Sequence, residues 1–306
     1  MRIVTYSLSI SGPPQTTDYH EQLLSSVKSL RFYNRVVSIH VFLYGEHPHV
    51  FIAELEREGV TVHQMGSYED AIRRFRPRAF RSFVRYPVVH KWMNFHKLAF
   101  FEPSQILLVD CDTYFFDDVE ILFDCYADCH YYGREEPSSK ASHFGYDPQY
   151  LDEEKLFALA RREGAAPVSP YNIGVSMLNH GLWNEIAKRT TMFFDYAFRF
   201  IGSMARNPET RGLLWPEIAE VVMIDLLEQP DVSELPFPSS NVWIIEQVAL
   251  WLTLGHVPGL THGYLSREHV RQGDEYNDSE TKVVHHYFGM DKAAYLSSVS
   301  VPTFEL

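Results

Sequence analysis

Asp110 and Asp112 stand one residue apart, directly after the apolar run Ile106-Leu107-Leu108-Val109. Such a run reads as a strand buried on both faces, the pattern of an interior parallel strand. The two carboxylates then lie at a strand end, where open α/β sheets bind ligands. If the backbone stays extended there, side-chain alternation turns both carboxylates to one face and Cys111 to the other. Two convergent anions cost free energy unless something positive sits between them. A hard divalent cation that also binds phosphate oxygens meets that need. An Asp-x-Asp spacing arises by chance about once in a chain of ordinary charge content. The weight lies in its surroundings: the buried run before it, and Thr113 to Phe116 with the acidic-apolar tail Asp117 to Phe123 after it.

Other residues carry weaker signals. Gly174 interrupts the apolar strand Tyr171 to Asn179 (YNIGVSMLN), a mark of close backbone approach. A late strand, Val283 to Tyr287, holds His285 and His286. Taken alone, each of these histidines reads as a hydrogen-bonded core residue. Tyr6 and Tyr19 have rings able to stack on a base, although packing is the plainer role for both. Arg73 to Arg85 (RRFRPRAFRSFVR) concentrates Arg73, Arg74, Arg76, Arg78, Arg81 and Arg85 in an otherwise acidic chain. The guanidinium fork suits phosphate or carboxylate, but pairing with surface acids accounts equally well for any one of them.

The elements that must position these groups alternate. Arg2 to Leu8 reads as a strand, Asp18 to Phe32 as an amphipathic helix, Val36 to Leu43 as a strand and Val50 to Arg57 as a helix stopped at Gly59. Val60 to His63 is a further strand, and His90 to Phe101 a helix with Asn94 and Lys97 on the face toward the carboxylates. This order predicts a parallel sheet built by right-handed crossovers. No G-x-G-x-x-G follows the first strand, which disfavours a dinucleotide-binding site of that kind. Gly133 to Tyr150 reads as a polar loop. Asp152 to Glu163, Leu182 to Ala205, Trp215 to Leu227 and Trp243 to Leu254 read as helices.

With 306 residues, 45% hydrophobic and 22% charged, the chain has the composition of a globular protein. Its length allows one large domain over 1–306. Aromatic content of 14% suits sugar or base stacking as well as a large core. A net charge of -13 argues against nonspecific nucleic-acid binding and against an anionic membrane surface. The sequence opens on a strand with no leader, and no apolar run is long enough to span a bilayer. Three cysteines, Cys111, Cys125 and Cys129, make no disulfide framework. They are expected to be buried free thiols in a reducing cytoplasm.

Four separated segments together resemble the glycogenin-like, retaining branch of the GT-A nucleotide-sugar glycosyltransferases, glycosyltransferase family eight. They are Lys97 to Phe123 (KLAFFEPSQILLVDCDTYFFDDVEILF), Tyr171 to Asn179, Ile245 to Leu250 (IEQVAL) and His286 to Lys292 (HYFGMDK). The resemblance implies a GT-A, Rossmann-like α/β fold with a mixed, mainly parallel sheet flanked by helices. It implies a nucleotide-sugar-binding half over 1–123 and an acceptor-side half over 124–306. In it Asp110, Asp112 and His286 hold Mn²⁺, or Mg²⁺ as second choice, and Asp110 also lies near the ribose. Gly289 and Lys292 match residues that hold the donor diphosphate, and Lys97 a basic residue near the phosphates or sugar. Asn172 and Gly174 match the strand lining the sugar pocket, and Asp18 and Tyr19 the segment contacting the base. Gln247 matches the amide facing the reacting anomeric carbon.

The sequence departs from that pattern at three places. Ala293-Ala294 replace a Pro-Trp after Lys292, and Glu246 stands where an Asp precedes the glutamine. The stretch from Asn172 to Gln247 is also longer than the family's, so that 182–238 reads as a helical insertion shaping an acceptor site.

The expected activity is metal-dependent hexosyl transfer from a nucleoside-diphosphate sugar, a UDP-sugar first, to a carbohydrate or other hydroxyl acceptor. Retention of configuration follows from the Gln247 match. An inverting enzyme would need a base instead, such as Glu246 or Asp225. The rival readings are a sugar nucleotidyltransferase, which needs a Gly-rich phosphate loop where Leu8 to Thr16 has only Gly12, and a noncatalytic nucleotide-sugar binder.

Overall fold

The computed structural model describes residues 1–10, 17–76, 78–85, 87–143, 145–273 and 282–287. Its strands are β1 (Arg2–Ser9), β2 (Ser38–Tyr44), β3 (Thr61–Gln64), β4 (Gln105–Val109), β5 (Thr113–Phe115), β6 (Tyr131–Glu135), β7 (Tyr171–Asn179), β8 (His262–Tyr264), β9 (Val270–Gln272) and β10 (Val284–His286). The helices are α1 (Asp18–Tyr33), α2 (His49–Arg57), α3 (Tyr68–Phe75), α4 (Phe80–Arg85), α5 (Phe95–Leu98), α6 (Glu120–Cys125), α7 (Glu153–Arg162), α8 (Leu182–Lys188), α9 (Thr190–Arg206), α10 (Pro208–Arg211), α11 (Pro216–Leu227) and α12 (Ile245–Leu254).

Strand order in the main sheet is β3-β2-β1-β4-β7-β6-β8. From β3 to β4 all neighbours run parallel, β7 is antiparallel to both β4 and β6, and β6 is parallel to β8. Every residue of β4 is buried, as its unbroken apolar run requires. Alternation splits that strand between two cores: Ile106 and Leu108 face one layer with α9 and α12, and Leu107 and Val109 the other with α1 and α6. Each such aliphatic side chain contributes roughly 1.5–3 kcal/mol by leaving water. Gly59, at φ +69°, takes the left-handed turn that ends α2.

A second sheet, β5-β10-β9, lies beyond the end of β4. Its antiparallel register sets His286 opposite Thr113, and the Tyr287 N–H donates to the Asp112 carbonyl at 2.8 Å. A strand from near the C-terminus is thereby clamped onto the residues that follow the carboxylates.

Five sequence expectations change. The chain is not extended through Asp110 to Asp112 but turns, the Thr113 N–H and Oγ1 both donating to the Asp110 carbonyl at 3.3 and 2.8 Å. The expected helix from His90 to Phe101 is instead a 3₁₀ helix (Pro87–Met93), the single turn α5 and another 3₁₀ turn (Ala99–Phe101). A proline, two valines and several aromatics are poor helix formers, and the Tyr44 hydroxyl pins Asn94 Oδ1 at 2.7 Å. Gly133 belongs to β6 rather than to a loop. The helix expected over 182–205 breaks at Arg189, where Thr190 Oγ1 donates to the Ile186 and Ala187 carbonyls and closes α8. All three cysteines are free, but only Cys111 is buried and Cys125 is exposed. No described helix is long and apolar enough to cross a membrane.

Candidate active site

Asp110 and Asp112 come from the turn after β4, and His286 from the last position of β10. His286 Nε2 lies 3.3 Å from Asp112 Oδ1 and 3.8 Å from Asp110 Oδ2. One ligand atom from each of the three residues falls within 4.8 Å of the others. Gly174 makes this possible. A Cβ there would stand 2.0–2.4 Å from the His286 ring atoms, so the imidazole lies directly on the β7 backbone. The same glycine's carbonyl accepts from the Asp110 N–H at 2.8 Å. The close approach signalled by Gly174 is therefore that of the imidazole.

Behind the acids sits Lys91, a buried ammonium donated by the 3₁₀ helix. Its Nζ contacts Asp110 Oδ1 at 2.8 Å and Glu246 Oε1 at 3.6 Å. Burial works against the charge on Lys91, but the carboxylates of Asp110 and Glu246 outweigh it and raise the pKa. Because Lys91 takes Oδ1 of Asp110, Oδ2 remains directed toward His286. Glu246, in the first turn of α12, also accepts from Trp92 Nε1. Burial pushes its carboxyl up to about 7, against the pull of Lys91.

Gln247 follows Glu246 in α12, and its Oε1 is buried with no hydrogen-bond partner among the described residues. Its amide lies beside the carboxyl of Glu136, a fully buried acid just after β6, which the Asn172 side chain also approaches. Asn172 Oδ1 in turn accepts from the Gly174 N–H at 3.1 Å. Burial pushes the Glu136 carboxyl up to about 7, and contact with Gln247, the Ser138 N–H, Asn172 and nearby His286 moderates the rise.

The remaining expected residues scatter. Tyr6 is wholly buried: its hydroxyl donates to Ser26 Oγ (2.9 Å), Ser26 to Thr113 Oγ1 (3.0 Å), and Thr113 to the Asp110 carbonyl. It therefore braces the Asp110 turn and does not stack a base. Lys97 lies against Met65 Sδ (4.0 Å) and near His63, so the basic residue at the carboxylates is Lys91 instead. Asp18 and Tyr19 are exposed at the start of α1. Gly289 and Lys292 lie outside the described residues. Asp225 cannot act as a base: it is fully buried in α11 and accepts from Arg81 Nη1 (2.8 Å), Ser82 N (2.9 Å) and Ser82 Oγ (2.7 Å). Much of the arginine cluster is similarly employed: Arg76 on Asp195 at 3.1 Å and Arg81 on Asp225 and Glu228 tie neighbouring helices together, and Arg73 pairs with Glu69 within α3.

Lys91 and Glu136 are the site residues that sequence reasoning missed. A basic residue inside the apolar stretch PVVHKWM was the available signal for Lys91, and the Glu135-Glu136 pair beside an in-strand glycine was the signal for Glu136.

No protein-family model and no curated protein matches the sequence. Among solved structures, the apo form of mouse xyloside xylosyltransferase 1 superposes with a TM-score of 0.50 at 12% identity, covering 94% of this chain and 97% of that one. The galactosyltransferase LgtC, in complex with donor and acceptor sugar analogues, gives 0.45 at 13% identity, over 94% of this chain and 87% of that one. The xylosyltransferase match extends over nearly the whole chain, and the fold is of the GT-A type.

Proposed function

We propose that this GT-A-fold chain is a glycosyltransferase that moves a sugar from a nucleoside-diphosphate donor, a UDP-sugar first, to a hydroxyl acceptor with retention of configuration. The observation that carries it is the meeting of Asp110, Asp112 and His286, brought from mid-chain and from near the C-terminus to the C-terminal end of β4. Two carboxylates and an imidazole, with Gly174 vacating the space the ring needs, fit Mn²⁺ or Mg²⁺, the mixed oxygen and nitrogen set favouring Mn²⁺. Such an ion supplies Lewis-acid stabilisation of the charge that gathers on a departing diphosphate.

The chain's own residues do the rest. Lys91 holds Asp110 and Glu246 in place and keeps a positive charge beside the Asp110 carboxylate. Glu246 is engaged by Lys91 and Trp92, so its part is to fix the start of α12. Gln247 presents a carbonyl oxygen with no partner among the described residues, suited to stabilising the positive charge that develops at an anomeric carbon. An amide is a poor nucleophile, which favours front-face displacement over a covalent intermediate. Asn172 and Gly174 line the sugar side, and exposed Tyr19 and Asp18 are available to the base.

The test is release of UDP from a panel of UDP-sugars with and without Mn²⁺. Asp112→Ala should lower the metal-dependent rate on the order of 10²-fold or more. A response independent of metal, or full activity in that variant, contradicts the proposal.

A further inference from the structure

Five tryptophans occur in the chain. Trp92, Trp183 and Trp251 are buried, whereas Trp215 and Trp243 are 49% and 52% exposed and pack edge to face with ring centroids 5.0 Å apart. Leaving two indoles half in water forgoes the burial such rings normally gain. Their place in the fold is what gives the exposure meaning. Trp243 sits in the 3₁₀ turn (Val242–Ile244) that leads into Glu246 and Gln247, its N–H held by Asn241 Oδ1 at 3.0 Å. Trp215 caps α11, within the helical region between β7 and α12.

A third aromatic links the pair to the reaction centre. The Ser240 N–H donates to the Gln149 carbonyl at 3.0 Å and the Asp152 N–H to the Pro238 carbonyl at 2.8 Å, which zips 149–152 against 238–240. Tyr150 is thereby set beside Asn241 on one side and within the field of Glu136 on the other. Contacts run from Trp215 to Trp243, from Trp243 to Asn241 and from Asn241 to Tyr150, whose hydroxyl feels the charge of Glu136, the acid beside the Gln247 amide.

We infer that the Trp215–Trp243 pair, with Tyr150, is the acceptor platform and that the acceptor is a carbohydrate. The inference rests on the proposed transfer reaction and deepens it. A pyranose has one face of C–H groups and a rim of hydroxyls. Indole faces take the first, while Asn241, Tyr150 and Glu136 offer hydrogen bonds to the second. Rigid aromatic rings also bind with little loss of conformational entropy. A flat protein partner would require a wider apolar surface than two half-exposed indoles, 49% and 52% exposed, supply.

The buried state of the other tryptophans makes the pair observable, because acrylamide reaches only Trp215 and Trp243. Wild-type chain is titrated with methyl glycosides of glucose, galactose and xylose and with lactose, maltotriose and xylobiose, and UDP release without acceptor is followed in parallel. At least one saccharide should lower the acrylamide quenching constant at least twofold, saturably. The Trp215→Ala/Trp243→Ala double variant should show no such protection, and Trp243→Phe should retain part of it. With that saccharide as acceptor, Trp243→Ala should raise its KM about tenfold, corresponding to about 1.4 kcal/mol, with kcat less affected. Metal-dependent UDP release with no saccharide protecting the indoles overturns the inference and leaves the transferase reading standing. Indoles already shielded in a dimer, seen by light scattering, overturn it in favour of a contact between copies. Failure of both UDP release and protection overturns the two together.

Discussion

At the scale of single residues the site is a balance of buried charge. Glu136 and Glu246 are carboxyls in places that disfavour ionisation, each pushed up to about 7 chiefly by burial. An acid whose folded pKa exceeds its unfolded value holds its proton longer in the native state. Its stability contribution is therefore complete below about pH 4.5 and is lost as pH rises through about 7. Glu136→Gln mimics the protonated form at every pH. In metal-free buffer its melting temperature should match wild type near pH 4.5 and exceed it by an increasing margin up to pH 8, equivalent to about 1–3 kcal/mol there. A difference that shrinks with rising pH would refute the assigned burial effect. The same variant keeps the size of the side chain beside Gln247, so any change in UDP release isolates the role of the carboxyl. Lys91 shows why one residue of this set escaped the sequence. A regular helix at 3.6 residues per turn would present Asn94 and Lys97 to the carboxylates. The tighter 3₁₀ winding over Pro87–Met93 turns Lys91 inward instead.

At the scale of elements, two strands that share no sequence neighbourhood make the centre. β7 supplies a bare glycine, and β10 lays an imidazole upon it. Gly174→Ala should leave the circular dichroism of the chain unchanged and lower Mn²⁺ affinity at least tenfold by calorimetry, since the added methyl occupies the space of the His286 ring. Unaltered affinity would mean that the ring has somewhere else to go. Asp225 belongs to the opposite category, an acid that builds structure. Asp225→Ala removes acceptors from Arg81 and Ser82 and should destabilise the fold by about 3 kcal/mol in urea titration, with UDP release per folded molecule unchanged. The strands β1, β2, β4 and β7 were legible because continuous apolar runs fix them. β5, β8 and β9 were not, since each has three residues and, unlike β10 within Val283 to Tyr287, was not read as part of a longer apolar run. Their pairing is decided by distant partners, and sequence patterns do not contain that information.

At the scale of the whole molecule, the parallel half of the sheet and the mixed half meet between β4 and β7, and the candidate centre lies at that junction. The fold class and the Asp110–Asp112–His286 association were readable from sequence because several separated segments agreed in order. The Tyr6 brace and the Glu136 carboxyl were not, because each depends on what packing leaves beside it. The acidic net charge of -13 also gives an expectation at this scale: a labelled DNA duplex should show no binding by fluorescence anisotropy at physiological salt. At the junction itself, the two acids and the imidazole are expected to share one divalent ion. Crystals grown with Mn²⁺ and UDP and measured at the manganese edge test it directly. A single strong anomalous peak is expected within coordination distance of Asp110, Asp112 and His286, touching the diphosphate. A diphosphate bound with no peak among those three side chains, or with the ion held elsewhere, would contradict it.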